Sequence, residues 1–498
     1  MILAIVRKEF LQALLTLRFA VGLILCVVAV AAGTLAMIED YDSRREAWLR
    51  QVAEYDTEVL EKEGPYARLV WDLQAFREPR QLAVFSVGSD RWQGNQVRVT
   101  HHEVPVRSQW LGVSNPYMVL FRTVDLSLIV QIILGLLALL FAHDAVCGER
   151  ERGTLRLMLA NPVARDQVLL GKAAGHLGLL MVLLAVTYVV GLLFVQASPA
   201  LHLGAGEVGR VALMLAASGL YVAAMYAAGL LLSICTRRSA TALVLAVFGW
   251  LLGVAVYPNV VGFGVDAWAR SRLSVESAED LQGQLHESFG EWIGRRGERE
   301  GLVSEWGVVN FGSSVSTGGW DQPRGYAVGS LPEDAEEADA EVKVRQLTSL
   351  FADVEQQRSA WADRVWREAW EPLERGMKEL HAVAAGLSLL SPAGAHGRAT
   401  AALARTDRGD YWRFLDSARG YRGQLIAFYE QEGWFGSREW WDQTRTATLE
   451  HLPRYREPGG SLAESLARAS APLLVLAGFT AAAFLAAYQR FRRYDLAA

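Results

Sequence analysis

The sequence predicts an α-helical polytopic membrane protein. It has six transmembrane helices with N- and C-termini inside, plus a mainly helical extracytoplasmic domain from two insertions. Three observations lead there. The chain of 498 residues is 52% hydrophobic and 21% charged, and its mean hydropathy of +0.16 is unusual for a soluble protein of this size. Its apolar residues collect in six long runs, each able to cross a hydrocarbon core of ~30 Å as a helix. The basic residues that flank these runs fall on one side. A soluble enzyme of ordinary amphipathic elements and wholesale disorder are both excluded. With 49 basic and 54 acidic residues there is no overall nucleic-acid footprint.

Residues 1–18 form an amphipathic lead. The first transmembrane segment is 19–38, with no charge from 19 to 37. No small-residue cleavage site follows it, so it reads as an anchor rather than a cleaved signal. Residues 39–125 make the first insertion. The second transmembrane segment is 126–145, and an inner loop covers 146–172. Segments three, four and five are 173–196, 210–235 and 239–263. The second insertion is 264–470, segment six is 471–489, and 490–498 is an inner tail. With the N-terminus inside, the short inner segments hold 13 Lys/Arg against 6 Asp/Glu. Arg7, Lys8, Arg18, Arg237, Arg238, Arg490, Arg492 and Arg493 all lie there, which is the positive-inside pattern.

The first insertion opens with helical spacing of Trp48, Leu49, Val52, Tyr55, Val59 and Leu60, continuing the first helix outward until Gly64-Pro65. Residues 97–106 alternate loosely, as a strand or an extended arm. In the second insertion, 333–390 is a long helical run with Leu347, Leu350, Phe351, Val354, Trp361, Val365, Trp366 and Trp370 on one side. Residues 411–432 are another amphipathic candidate, 307–329 reads as loop, and 332–339 as a solvated acidic helix start. Residues 382–404 are weakly charged, rich in small residues and too broken to span, which places them at the outer membrane surface, with a buried helical hairpin of the outer domain as the alternative. Trp361, Trp366, Trp370, Trp434, Trp440 and Trp441 read mainly as packing and interface anchors, with a lipid or peptide groove as the alternative. Cys26, Cys147 and Cys235 lie in or at the apolar runs, so neither insertion can contain a disulfide. His101-His102 are adjacent and point apart on a strand, which suits packing better than metal ligation.

The inner loop carries the most specific signal. It holds Glu149-Arg150-Glu151-Arg152, Gly153-Thr154-Leu155, then Pro162-Val-Ala-Arg165, then Gly171-Lys172. As chemistry this is a short charged helix whose Glu149, Arg150, Glu151 and Arg152 face water or a partner. Leu155 faces the bilayer or the bundle, Pro162 ends the helix, and Arg165 and Lys172 anchor the re-entry. These pieces, in this order, resemble the first cytoplasmic loop of ABC-2 type transporter permeases. The resemblance implies that the loop is a coupling helix docking on a nucleotide-binding subunit. It also implies that Val6-Arg-Lys-Glu-Phe10 opens a helix lying on the inner surface. Large outer insertions resemble a subfamily with soluble domains after helix one and between helices five and six. Gly249 and Gly253 in the fifth run allow close helix approach, as a dimer contact or as packing within the chain.

No phosphate-loop motif occurs, because Gly171-Lys172 lacks both the upstream glycine and the following hydroxyl. No catalytic or metal site is expected, and no cofactor in this chain. ATP and Mg are expected on a partner ATPase, present in two copies. A second permease copy or paralogue, membrane lipid and a periplasmic protein are the other expected partners, with no nucleic acid. No ionisable residue sits in the middle of any run, which favours ATP-driven movement of a bulky or lipid-like cargo over ion coupling. Two rivals stand beside the exporter: a mechanotransmitter acting on a periplasmic partner without cargo passage, and a membrane-anchored receptor or scaffold. Arg outnumbers Lys 44 to 5, which points to a GC-rich bacterial genome, and the expected location is the bacterial inner membrane.

Overall fold

The computed structural model describes residues 2–64, 66–108, 124–159, 164–299, 337–441 and 446–493. Residues 307–329, Pro162 and the first part of the acidic patch at 332–339 lie outside that set. Among the described residues, six helices are long and apolar enough to cross a membrane.

Helix α1 (Ile2–Leu14) is short and amphipathic. Thr16 turns the chain into α2 (Leu17–Tyr55), its hydroxyl accepting from the N–H of Phe19 at 3.3 Å. At ~1.5 Å per residue, the 39 residues of α2 reach about twice the thickness of a hydrocarbon core. Its second half therefore projects into the insertions as one rigid rod. The strands β1 (Gln74–Phe76) and β2 (Gln96–Arg98) pair antiparallel with Ala75 opposite Val97. Only the start of 97–106 is a strand, because Thr100 turns back towards Glu103.

The second long helix, α3, is Leu126–Ile129, a π-helical segment Val130–Leu134, and Gly135–Ala142. Two short helices follow, α4 (Cys147–Glu151) and α5 (Thr154–Leu159), then the long α6 (Arg165–Ala197) and α7 (Ala205–Cys235). Helix α8 comprises Ser239–Trp250, the π-helical Leu251–Val256 and Tyr257–Arg272, so it runs past the apolar segment without a break. Helix α9 (Val275–Arg299) and α10 (Glu337–Val365) pair through Trp361, whose indole N–H donates to the Leu285 carbonyl at 2.9 Å. Beyond a π-helical turn at Trp366–Trp370 come α11 (Glu371–Ser388), α12 (Pro392–Ala404), α13 (Arg408–Gln431) and the last long helix α14 (Leu462–Arg492).

The two insertions share one core. Val70, Leu73 and Val99 from the first pack with Phe351, Phe414, Leu425, Tyr429 and Trp440 from the second. Trp440 is fully buried, and Trp434 stacks on Tyr66. His101 and His102 are both buried here. His101 Nε2 lies 2.6 Å from a Glu355 carboxylate oxygen, and His102 packs on Trp71. The three cysteines are free thiols.

Helix α12 differs from the surface segment expected at 382–404. Residues 393, 395, 396 and 399–404 are buried, and the helix is walled in by α7, α14 and the start of α3. Its alanines and glycines bring its backbone close to those helices, an approach that a window of mean hydropathy does not register. It also carries His396, an ionisable side chain with no exposed surface, into the bundle core.

An ionic centre joins α2, the first insertion and α13. Asp410 is fully buried, with Arg80 at 2.7 Å, Arg405 at 3.1 Å and Arg77 at 3.5 Å. Arg77 also reaches Asp90, and Arg44 bridges Asp90 to Asp40 on α2. Burial raises the Asp410 carboxyl, but Arg80, Arg405 and Arg77 outweigh it and hold the group at about 2. A carboxylate held below its unfolded value contributes stability that is full above that value and is lost as pH falls through the folded one. The contribution of Asp410 should therefore be intact at pH 5 and above and fade between about pH 4 and 2. Arg413 stands 3.6 Å away, so Asp410→Asn leaves four guanidinium groups short of a counter-charge and should cost about 3–5 kcal/mol at pH 7. Denaturant melts of tryptophan fluorescence at pH 7 and pH 2.5 check this: the gap between wild type and variant should shrink at the lower pH.

Candidate functional site

At one end of the bundle, α1 lies along the start of α6. Two glycines one turn apart make the fit. A Cβ on Gly171 would stand 2.7 Å from Ile5 Cγ2, and one on Gly175 would stand 2.8 Å from Glu9 Cβ and 3.0 Å from the Val6 carbonyl oxygen. Between them Lys172 turns inward. Its Nζ donates to Glu9 Oε1 at 2.9 Å and to Glu149 Oε1 at 2.6 Å. Only 2% of Lys172 is exposed, and both carboxylates are buried. One turn further, His176 Nε2 is 3.7 Å from Glu9 Oε2, and its Nδ1 is 3.0 Å from the Tyr226 hydroxyl on α7. Burial raises the Glu9 carboxyl, yet Lys172 more than offsets this and holds it below the ordinary glutamate value.

The sequence reading had Glu149 facing water or a partner; the structure turns it into the bundle. The cause lies at the start of α4. The N–H groups of Val146 and Cys147 both donate to Ser233 Oγ on α7, at 3.1 and 3.2 Å, and this docks the helix with Glu149 towards Lys172. Glu151 points the other way. Its carboxylate accepts from the Ser239 N–H at 2.9 Å and from the Ser239 hydroxyl at 2.6 Å, which caps the first turn of α8 and sets a negative charge at that helix N-terminus. One five-residue helix thus touches α6, α7, α8 and, through Lys172, α1.

Other sequence-stated positions divide in two. Leu155 is buried, and Thr154 donates its hydroxyl to the Glu149 carbonyl at 3.2 Å. Arg165 donates to the Arg492 carbonyl at 3.0 Å, tying the head of α6 to the end of α14. Arg150 is half-buried. Arg152 and Gly153 are exposed, and Gly153 ends α4 in the left-handed region at φ 72°. Among the described residues, and apart from its own stretch of helix, an added Cβ at Gly249 or Gly253 would meet nothing within 4 Å. The surface of α8 around them, with Val244, Phe248, Leu251 and Val260, is exposed. Sequence reasoning missed Glu9, Gly175, His176, Ser233 and Ser239. The spacing of Gly171 and Gly175 was a usable signal, since small residues four apart mark a close helix contact. Among the described residues no three His, Cys, Asp or Glu side chains group to hold a metal ion.

Comparison with known proteins gives the same region a context. The family model of ABC-2 family transporter proteins matches residues 3–288. A second model, a domain of unknown function (DUF3526), matches residues 335–457. A probable ABC transporter permease protein NosY of Stutzerimonas stutzeri is 40% identical over 79 residues, 15% of this chain and 28% of that protein. The protein of the same name in Pseudomonas aeruginosa is 42% identical over 79 residues, with the same shares.

Lys172→Met leaves two buried carboxylates without their cation and should cost about 3–5 kcal/mol. Combining it with Glu9→Gln should recover part of that loss, because the pair is coupled. Thermal unfolding of the three variants in detergent checks both statements, and additive losses in the double variant would contradict the coupling.

Proposed function

Because this chain belongs to the ABC-2 transporter family, with more than half of its length matched, we propose that it is the permease subunit of an ATP-driven exporter. In this reading a separate ATPase, in two copies, docks on α4. Its ATP and Mg stay on that partner, and the cargo is bulky or lipid-like. The observation that carries the reading is the set of contacts made by α4. A push on the exposed Arg152–Gly153 end reaches α6 and α1 through Glu149 and Lys172, and reaches α8 through Glu151 and Ser239. Direct bonds from α4 to α6, α7 and α8 suit the helix to shift the inner ends of several membrane helices together. The unpartnered face of α8 at Gly249 and Gly253 supports a second permease copy there. The positively charged short loops support an inner-membrane location with the insertions outside.

A second reading draws on the ionic centre at Asp410. It fastens the outward half of α2 to both insertions, and Arg413 extends it to Glu464 at the head of α14. Movement of the first and last membrane helices would then be delivered to the outer domain as a unit. That is the arrangement a mechanotransmitter acting on a periplasmic protein needs.

The test begins with a tagged chain expressed with its neighbouring ATPase gene. The ATPase should co-purify, and Arg152→Glu should reduce its capture and the ATP turnover of the complex at least tenfold while the chain still folds. Undiminished capture would overturn the coupling role of α4. Reconstituted vesicles separate the two readings: lipid or amphiphile flux on ATP supports export, whereas turnover with outer-domain movement and no flux supports mechanotransmission.

A further inference from the structure

Two of the long helices widen into π-helical segments inside their apolar runs, at Val130–Leu134 of α3 and Leu251–Val256 of α8. Such a segment spends an extra residue in one turn and leaves a carbonyl short of its usual partner. In α8 the cause is visible. Pro258 has no N–H, the Tyr257 N–H turns back to Leu252, and the Gly253 carbonyl loses its donor within the helix. Ser391, the N-cap of α12, donates its hydroxyl to that carbonyl at 2.6 Å. In α3 the Gln131 carbonyl accepts from the Tyr221 hydroxyl at 2.9 Å, in a space that Gly135 leaves open. The Gln131 side-chain amide lies 3.2 Å from His396 Nδ1 on α12.

The hairpin that ends in α12 thus reaches both π-helical segments. His396 extends the contact through Nε2 to Ser218 Oγ at 2.9 Å, which is 2.8 Å from the Tyr188 hydroxyl. One turn on, Thr400 Oγ1 meets Ser127 Oγ at 2.9 Å. Around these bonds α12 offers mainly alanine and glycine, so each residue buries little apolar area and the hydrogen bonds carry more of the register. A π-helical turn can relax to the ordinary pattern by shifting one residue, so a contact made only while it is widened is suited to switch on and off.

We propose that the hairpin of residues 389–404 is a removable plug, clasped to the widened turns of α3 and α8 by His396–Gln131 and Ser391–Gly253, and that the bundle parts at this clasp. Its opening during ATP turnover rests on the permease reading; the clasp itself does not.

Hydrogen exchange read by mass spectrometry on the full chain in nanodiscs tests the clasp without an ATPase. His396→Leu and Ser391→Ala should each speed exchange across 391–404 at least tenfold, with α7 and α14 unchanged. His396→Gln, which keeps a donor and an acceptor, should stay within threefold of wild type. Unchanged exchange in His396→Leu, or equal acceleration in His396→Gln, would overturn the clasp. So would equal acceleration in α7 and α14. In the complex with its co-purified ATPase, ATP and Mg should raise exchange of 391–404 in the wild type, and no rise would overturn the opening step. If no ATPase co-purifies, the permease reading fails while the nanodisc result still decides the clasp.

Discussion

A single ammonium group holds the working end of this protein together. Lys172 sits out of water between Glu9 and Glu149, and each of the three residues comes from a different helix. Removing charges from water is costly, and the cost is recovered only when geometry and hydrogen bonding are close to ideal. That condition fixes where α1 and α4 stand relative to α6. The glycines at 171 and 175 serve the same end, since they let Glu9 come near enough to pair. A contact of this kind tolerates little sliding, and that is what a force-transmitting joint requires.

The far end of the molecule is organised by the same physics with opposite roles. There a buried carboxylate, Asp410, gathers four arginines, and the rod of α2 is pinned through Asp40 and Arg44. Between the two ionic centres α12 meets α3, α7 and α8 through hydroxyls, an amide and the imidazole of His396, and one guanidinium, Arg210, ties its C-terminal end to α7 and α14. Rigid ends and a more yielding middle make a physical arrangement in which the middle is the part that changes.

Much of this was legible in the sequence, for identifiable reasons. Long uncharged runs leave a helix as the only way to satisfy the backbone in lipid, so the six long helices follow from composition. The ordered pieces from Glu149 to Lys172 carried the resemblance to the family that the chain belongs to. What they could not show was direction: Glu149 and Glu151 are two residues apart, yet one turns into the bundle and the other caps α8. The partner of Lys172 was also hidden, because Glu9 is far away in sequence and reads as the polar face of an amphipathic lead. Helix α12 was placed at the surface because Pro392 and its glycines read as too broken to span, although its small side chains are what allow burial. The widened turn at Gly253 had a sequence cause in Pro258, but nothing in the sequence identified Ser391 as its partner.

The central claim is that α1 and α4 form one rigid unit around Lys172 and move together. Spin labels at Lys8 and Arg150 in the reconstituted complex test this most directly, with distances measured in the nucleotide-free and ATP-bound states. The account predicts one narrow distance, the same in both states. A distance that broadens or shifts when ATP binds would show that the two helices move independently, and the joint described here would then not transmit force.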